Sequence, residues 1–166
     1  MNPPLILTLG LTEHDLDYFT RLRQKHFPPE RNFIDAHLTL FHALPNKPPV
    51  INTVKEICER QSFITLAVKE PVSIGNGVAF RIESRELMQL HQLLQSAWMG
   101  LLSPQDRQRL WPHITVQNKV PAAQAGSLLA ELSKGFTPFV MEAKGLQLWE
   151  YLNGPWRMLE DVEFRQ

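Results

Sequence analysis

The chain has 166 residues, 43% of them hydrophobic and 20% charged, with 17 basic against 17 acidic side chains. That length fills one well-packed core, and the composition is that of an ordinary globular domain. A formal net charge of zero excludes a long electrostatic track for duplex nucleic acid or an anionic membrane surface, so any RNA-related role is expected at a small ligand or a chain end.

In chain order, residues 5–11 read as a buried strand. Thr12 then caps a helix, with Asp15 at the capping-box position and Leu16, Phe19 and Leu22 on its apolar face. Arg21, Arg23 and Lys25 suit the negative end of that helix, and Pro28-Pro29 stops it. A strand over 36–43 follows, then a proline-marked loop and a short amphipathic helix over 50–60. Strands over 63–73 and 78–83 are joined by Gly75-Asn76-Gly77, a hairpin signature. Ser84 caps the longest helix, whose apolar residues from Leu87 to Leu101 fit a 3.6-residue period. After a polar loop over 103–109 comes a strand over 111–118, and Pro121 opens a helix that Gly135 ends. Strands over 137–143, 145–152 and 156–164 complete the chain, the last two turning at Asn153-Gly154.

The only cysteine, Cys58, excludes an intramolecular disulfide and a multi-thiolate metal cage and fits a reducing compartment. With Val54 and Ile57 on one helix face, it reads as an inert buried thiol. No segment approaches ~18 continuous apolar residues, and no basic region precedes the first apolar run. A cytoplasmic protein without membrane attachment is expected.

Two of the strands carry one short pattern, His37-Leu38-Thr39-Leu40 and His113-Ile114-Thr115-Val116. Strand side chains alternate, so His and Thr of each copy share a face while the aliphatic residues turn to the core. One copy alone is a weak signal. Two copies in matching contexts are much stronger, because each has a helix before it, a shorter helix after it and then a hairpin. That self-similarity implies a duplicated lobe, roughly 1–83 around His37 and 84–166 around His113, with strands free to exchange between them. Basic residues flank both copies: Arg21, Arg23, Lys25, Arg31 and Lys47 for the first, Arg107, Arg109 and Lys119 for the second.

Two imidazoles and two hydroxyls facing one cleft suit acid–base chemistry on a phosphate. One neutral histidine removes a proton from attacking water, while a protonated one delivers a proton to the departing oxygen. Thr39 and Thr115 are placed to hold non-bridging phosphate oxygens. Two histidines also suit zinc, but neither has a carboxylate or thiol at short spacing, so neither a metal nor a cofactor is expected. Phe41 and Gln117 continue the His/Thr faces by one step. Phe41 is a candidate for stacking on a base or, equally, for ordinary packing. Arg81 is read as an exposed sheet-face arginine with a minor claim on the phosphate. His42 is expected to turn away from His37 and His91 to lie on an apolar helix face, both structural. Trp149, Tyr151 and Trp156 are read mostly as core or sheet-surface packing, with a minor claim on base contact.

The paired motifs resemble those of the two-histidine (2H) phosphoesterase superfamily, and in particular the bacterial proteins called 2′-5′ RNA ligase-like or RNA 2′,3′-cyclic phosphodiesterases. The resemblance covers nearly the whole chain. It implies an α+β fold, a duplicated two-lobe arrangement with two mainly antiparallel sheets around a central cleft and helices outside. It also implies His37 and His113 as the acid–base pair and Thr39 and Thr115 as phosphate ligands. The chain departs from the pattern at Phe41-His42-Ala43 and at Gln117-Asn118-Lys119, where many relatives have an arginine or small residues. The expected activity is metal-independent opening of 2′,3′-cyclic phosphates on nucleotides or short RNA ends to 2′-phosphomonoesters, with reversal to 2′-5′ ligation, in a monomer. The competing reading is a non-catalytic nucleotide or RNA-end binding module.

Overall fold

The structure, a computed structural model, describes residues 2–166. Strand β1 (Leu5–Leu11) is buried along its whole length and leads through the Thr12 cap, whose hydroxyl accepts the Asp15 N–H at 3.1 Å, into helix α1 (Glu13–His26). Strand β2 (Thr39–Leu44) and helix α2 (Pro48–Arg60) follow. The hairpin of β3 (Ile64–Ser73) and β4 (Val78–Glu83) comes next. Ser84 accepts the Leu87 N–H at 3.2 Å and starts helix α3 (Arg85–Ala97). The expected single helix ends there, and Met99–Leu101 is a separate 3₁₀ turn. The chain closes with β5 (His113–Gln117), α4 (Ala122–Lys134), β6 (Phe139–Tyr151) and β7 (Trp156–Glu163).

The fold is α+β, and all seven strands belong to one antiparallel sheet in the order β2-β1-β6-β3-β4-β5, with β7 also on β6. The two strands expected over 137–143 and 145–152 are one 13-residue strand. At Gly145 a Cβ would lie 2.3 Å from the Val162 carbonyl oxygen, so glycine lets β7 approach β6 closely, and the expected break is only a register shift against β1 between Gly10 and Leu11. The two sheets implied by resemblance are thus two halves sharing β6. Its residues from Ala143 onward pair with β1, its residues up to Ala143 pair with β3, and β7 takes the place of β3 beside the later part.

These halves do not follow a division of the chain at residue 83. Hairpin β3–β4 stands beside β5, whereas β6–β7 stands beside β1–β2. The helices cross over as well. Arg23 of α1 donates to the Thr115 carbonyl in β5 at 3.1 Å, and His91 of α3 donates through Nε2 to the Leu40 carbonyl in β2 at 3.2 Å. Each helix that precedes one motif therefore pins the backbone of the other. Between them runs one continuous core, from Phe19 and Phe80 to Phe41, Trp98 and Leu146. Cys58 lies within it, its thiol pushed up to about 12 by burial. Among the described residues, no helix is long and apolar enough to cross a membrane.

Candidate active site

The motif strands β2 and β5 hold the two ends of the sheet path, and the crossed helices tie each of them to the opposite half. His37 lies just before β2 and His113 opens β5. Their rings are fixed in the same way. Nδ1 of His37 meets the Asp35 carbonyl at 2.9 Å, and Nδ1 of His113 meets the Trp111 carbonyl at 2.7 Å. A carbonyl only accepts, so both neutral imidazoles carry the proton on Nδ1 and leave Nε2 free as a base. Each ring also rests on a tryptophan, His37 at 4.7 Å from Trp156 and His113 at 4.3 Å from Trp111. Two positions read as copies in the sequence are thus copies in hydrogen bonding, while their tryptophan contacts differ, tilted at 56° for His37 and stacked at 24° for His113.

Burial lowers the proton affinity of both rings. His37 is pushed down to about 4, first by desolvation and then by the charges of Arg23, His113 and His42, against the opposing bond to Asp35. His113 is lowered by desolvation and by the charge of His42, against its bond to Trp111. The two histidines and His42 therefore share one electrostatic neighbourhood.

Thr39 and Thr115 are half-buried on their strands. Thr39 stands opposite Thr8, and Thr115 opposite Ala79. Beyond them the expected alternation fails in both strands at the same place. Thr8 pairs with Thr39 but Leu7 pairs with Phe41, and Ala79 pairs with Thr115 but Val78 pairs with Gln117. One extra residue, Leu40 or Val116, makes a β-bulge at this place in each motif strand, and β2 shifts register once more between Phe41 and Leu44. The bulge turns the next side chain into the core. Phe41 is fully buried, stacked on His91 at 4.6 Å and edge-on to Trp98 at 5.2 Å, so its expected contact with substrate is corrected to packing. Gln117 is 2% exposed and turned inward likewise. His42, expected to turn away from His37 to the core side or a strand edge, is exposed on β2, an edge strand of the sheet, and not on the core side. Arg81 stands opposite His113 but is held by Glu70 and Glu83.

Two residues at the site escaped the sequence reading, and a third had only a minor claim. Arg23, read as a helix-end charge, is 4% exposed and bonds Asn32 and the Thr115 carbonyl beneath Phe27. Burial lowers it to about 10, opposed by Asp35, so it remains a cation at neutral pH. Asp106, in the polar loop, is buried beside His42. Trp156 forms one wall of a cavity of about 520 Å³ next to His37, together with Trp149, Phe33, Gln24 and Arg23.

The sequence pattern of the 2′-5′ RNA ligase superfamily matches residues 12–155, which spans both motifs and most of the sheet. The chain belongs to the 2′-5′ RNA ligase superfamily. Membership in this superfamily of two-histidine phosphoesterases gives the chain a function of phosphoesterase or ligase type. Its fold is shared with solved structures across almost the full length. TT0787 of Thermus thermophilus is similar at 16% identity, covering 98% of each chain with a TM-score of 0.70. LigT of E. coli is similar at 20% identity in its complex with 3′-AMP, over 100% of each chain with a TM-score of 0.66. LigT in complex with NADP+ gives 19% identity, 100% of each chain and a TM-score of 0.64. At such identities the likeness of this superfamily member to LigT and TT0787 concerns the fold. No curated protein sequence matches the chain.

Proposed function

We propose that the chain opens 2′,3′-cyclic phosphates at nucleotide or short RNA ends, with His37 and His113 as the acid–base pair and Thr39 and Thr115 as phosphate ligands. The observation that carries this reading is the matched seating of the two imidazoles, each held at Nδ1 by the carbonyl two residues earlier with Nε2 left free. In the reaction, neutral Nε2 of one histidine takes a proton from water as the water oxygen bonds to phosphorus. The other histidine, protonated, gives its proton to the ribose oxygen as the opposite P–O bond breaks. Threonine hydroxyls donate to the non-bridging oxygens, whose negative charge grows in the transition state. The cavity beside His37, with Trp149, Trp156 and Phe33 in its walls, has the size and aromatic lining to take the nucleoside attached to that phosphate. The LigT structure with 3′-AMP lends support from a protein of the same fold. With a 5′-hydroxyl in place of water as the nucleophile, the same step forms a 2′-5′ phosphodiester while the P–O bond to the 3′-oxygen breaks and that oxygen takes the proton, which is a 2′-5′ ligation.

The test is a panel of 2′,3′-cyclic nucleotides and cyclic-phosphate-ended oligonucleotides, with product analysis by phosphorus NMR. Turnover to a 2′-phosphomonoester, unchanged by chelator, is expected. Nucleotide binding without turnover across the panel overturns the catalytic reading in favour of a binding module.

The pH dependence has a definite sign. Both histidines hold protons less tightly than a free imidazole at 6.5, and His37 does so down to about 4. In the free protein both are then neutral above pH 6.5, and the form with one proton on the pair gains population as pH falls. kcat/KM is expected to rise on acidification from pH 7.5 to below 6.5 and to fall again only as the second proton binds near pH 4. Bound phosphate, an anion, favours the imidazolium, so the kcat profile lies to higher pH than that of kcat/KM. A kcat/KM optimum at pH 8 or above contradicts this assignment.

A further inference from the structure

His42 is exposed beyond the bulge at Leu40, with Ala43 beside it, and its surroundings are built rather than incidental. Nδ1 of His42 lies 3.4 Å from Oδ1 of Asp106, in the loop that leads from α3 to β5. The imidazole is 46% exposed, whereas the Asp106 side chain is 1% exposed. Asp106 also accepts the backbone N–H groups of His42 at 2.8 Å and Ala43 at 2.9 Å, and its own N–H donates to Ser103 at 3.2 Å. Gln95 of α3 braces the loop by donating to the carbonyls of Asp106 and Gln108. Burial opposes ionisation of Asp106, yet the bonds from the His42 ring and from the His42 and Ala43 amides outweigh it and keep the carboxyl below its usual range.

A buried carboxylate that fixes one nitrogen of a half-exposed imidazole sets the tautomer and aims the other nitrogen outward. The chain spends a buried charge on this arrangement at the point where β2 meets the loop entering β5, between the two motifs. His42 also acts electrostatically on both His37 and His113. Nothing in the acid–base scheme uses it.

Resting on the reading of the cleft as a phosphate site, we infer that His42, seated by Asp106, is a third substrate-contacting imidazole that, as the imidazolium, donates Nε2–H to a phosphate oxygen. Its role is binding and not proton transfer. When His42 is protonated, the imidazolium is balanced by Asp106 on one side and donates to the phosphate on the other, so the substrate anion meets a fixed donor without a further buried net charge.

The test compares wild type with His42→Phe, His42→Gln and Asp106→Asn. Binding of inorganic phosphate and of a 2′,3′-cyclic nucleotide is measured by calorimetry, and turnover by initial rates. The His42→Phe change is expected to raise Kd for phosphate and KM for the cyclic nucleotide by about ten- to a hundred-fold, with kcat changed much less. His42→Gln, which keeps a neutral donor near the Nε2 position, recovers part of the loss, and Asp106→Asn gives a smaller increase because the ring stays but is no longer held. In wild type the His42 imidazole NMR resonances move on phosphate titration, a response that a purely structural residue does not give. Unchanged Kd in His42→Phe, a loss confined to kcat, or a wild type that binds no phosphate overturns the inference. Phosphate binding through His42 without any turnover supports it while overturning the proposed hydrolysis, so the two failures are distinct.

Discussion

Replacing His37 or His113 by alanine lowers kcat/KM on cyclic phosphates by about 10²- to 10⁴-fold, the range that a positioned general acid or base contributes. The two losses are expected to be of similar size. Both rings carry the proton on Nδ1, both rest on a tryptophan and both hold protons weakly, so neither is structurally the lesser partner. The double variant falls little further than either single one, because acid and base act in one step and the first deletion already abolishes their cooperation. Both single variants stay folded, since each ring is only partly buried and its hydrogen bond is to a local carbonyl. Initial rates with circular dichroism on the same samples check this. If either variant keeps near-wild-type turnover, the paired acid–base mechanism is wrong.

The second large effect lies away from the reacting groups. Gly77→Ala is expected to destabilise the protein by about 3 kcal/mol, toward the upper end for overpacking. A Cβ at Gly77 would stand 1.9 Å from the Gln117 carbonyl oxygen and 2.7 Å from the Asn118 Cα. These are backbone atoms of the second motif strand and its continuation, so no side-chain rotation relieves the clash. The hairpin turn must move off β5, and the pairs Val78–Gln117 and Ala79–Thr115 open with it. Activity therefore falls in the folded fraction too, because His113 and Thr115 shift with the strand. Gly126→Ala is the matched control. It meets nothing within 4 Å on helix α4 and is expected to gain up to about 1 kcal/mol from helix propensity. Urea midpoints for the two variants decide the matter, and equal midpoints contradict it.

Much of the site was legible because it depends on local rules. A His-x-Thr-aliphatic stretch alternates faces wherever it forms a strand, so the pairing of His37 with Thr39 and of His113 with Thr115 needs no tertiary information. The caps at Thr12 and Ser84, the apolar face of α3 and the turn at Asn153-Gly154 are equally local, and the positive φ of Asn153 and Gly154 is what that turn demands.

What the tertiary structure alone decided begins one residue past each motif. A bulge is set by how two strands far apart in sequence share their register, so Leu40 and Val116 look like any other core residues until Leu7 and Val78 are seen opposite Phe41 and Gln117, the residues that follow them. That one extra residue sends Phe41 and Gln117 inward and His42 outward, which reverses the side-chain assignments that alternation dictates. The same holds for burial of charge. Arg23 and Asp106 sit in polar stretches that read as solvated surface, and only the crossing of α1 to β5 and the folding of the 103–109 loop against β2 enclose them. By itself the sequence determined the duplicated motif and the α+β class, because those follow from residue type and short-range geometry. The register, the crossed helices and the seating of His42 on Asp106 follow from packing between distant segments, which no local pattern encodes.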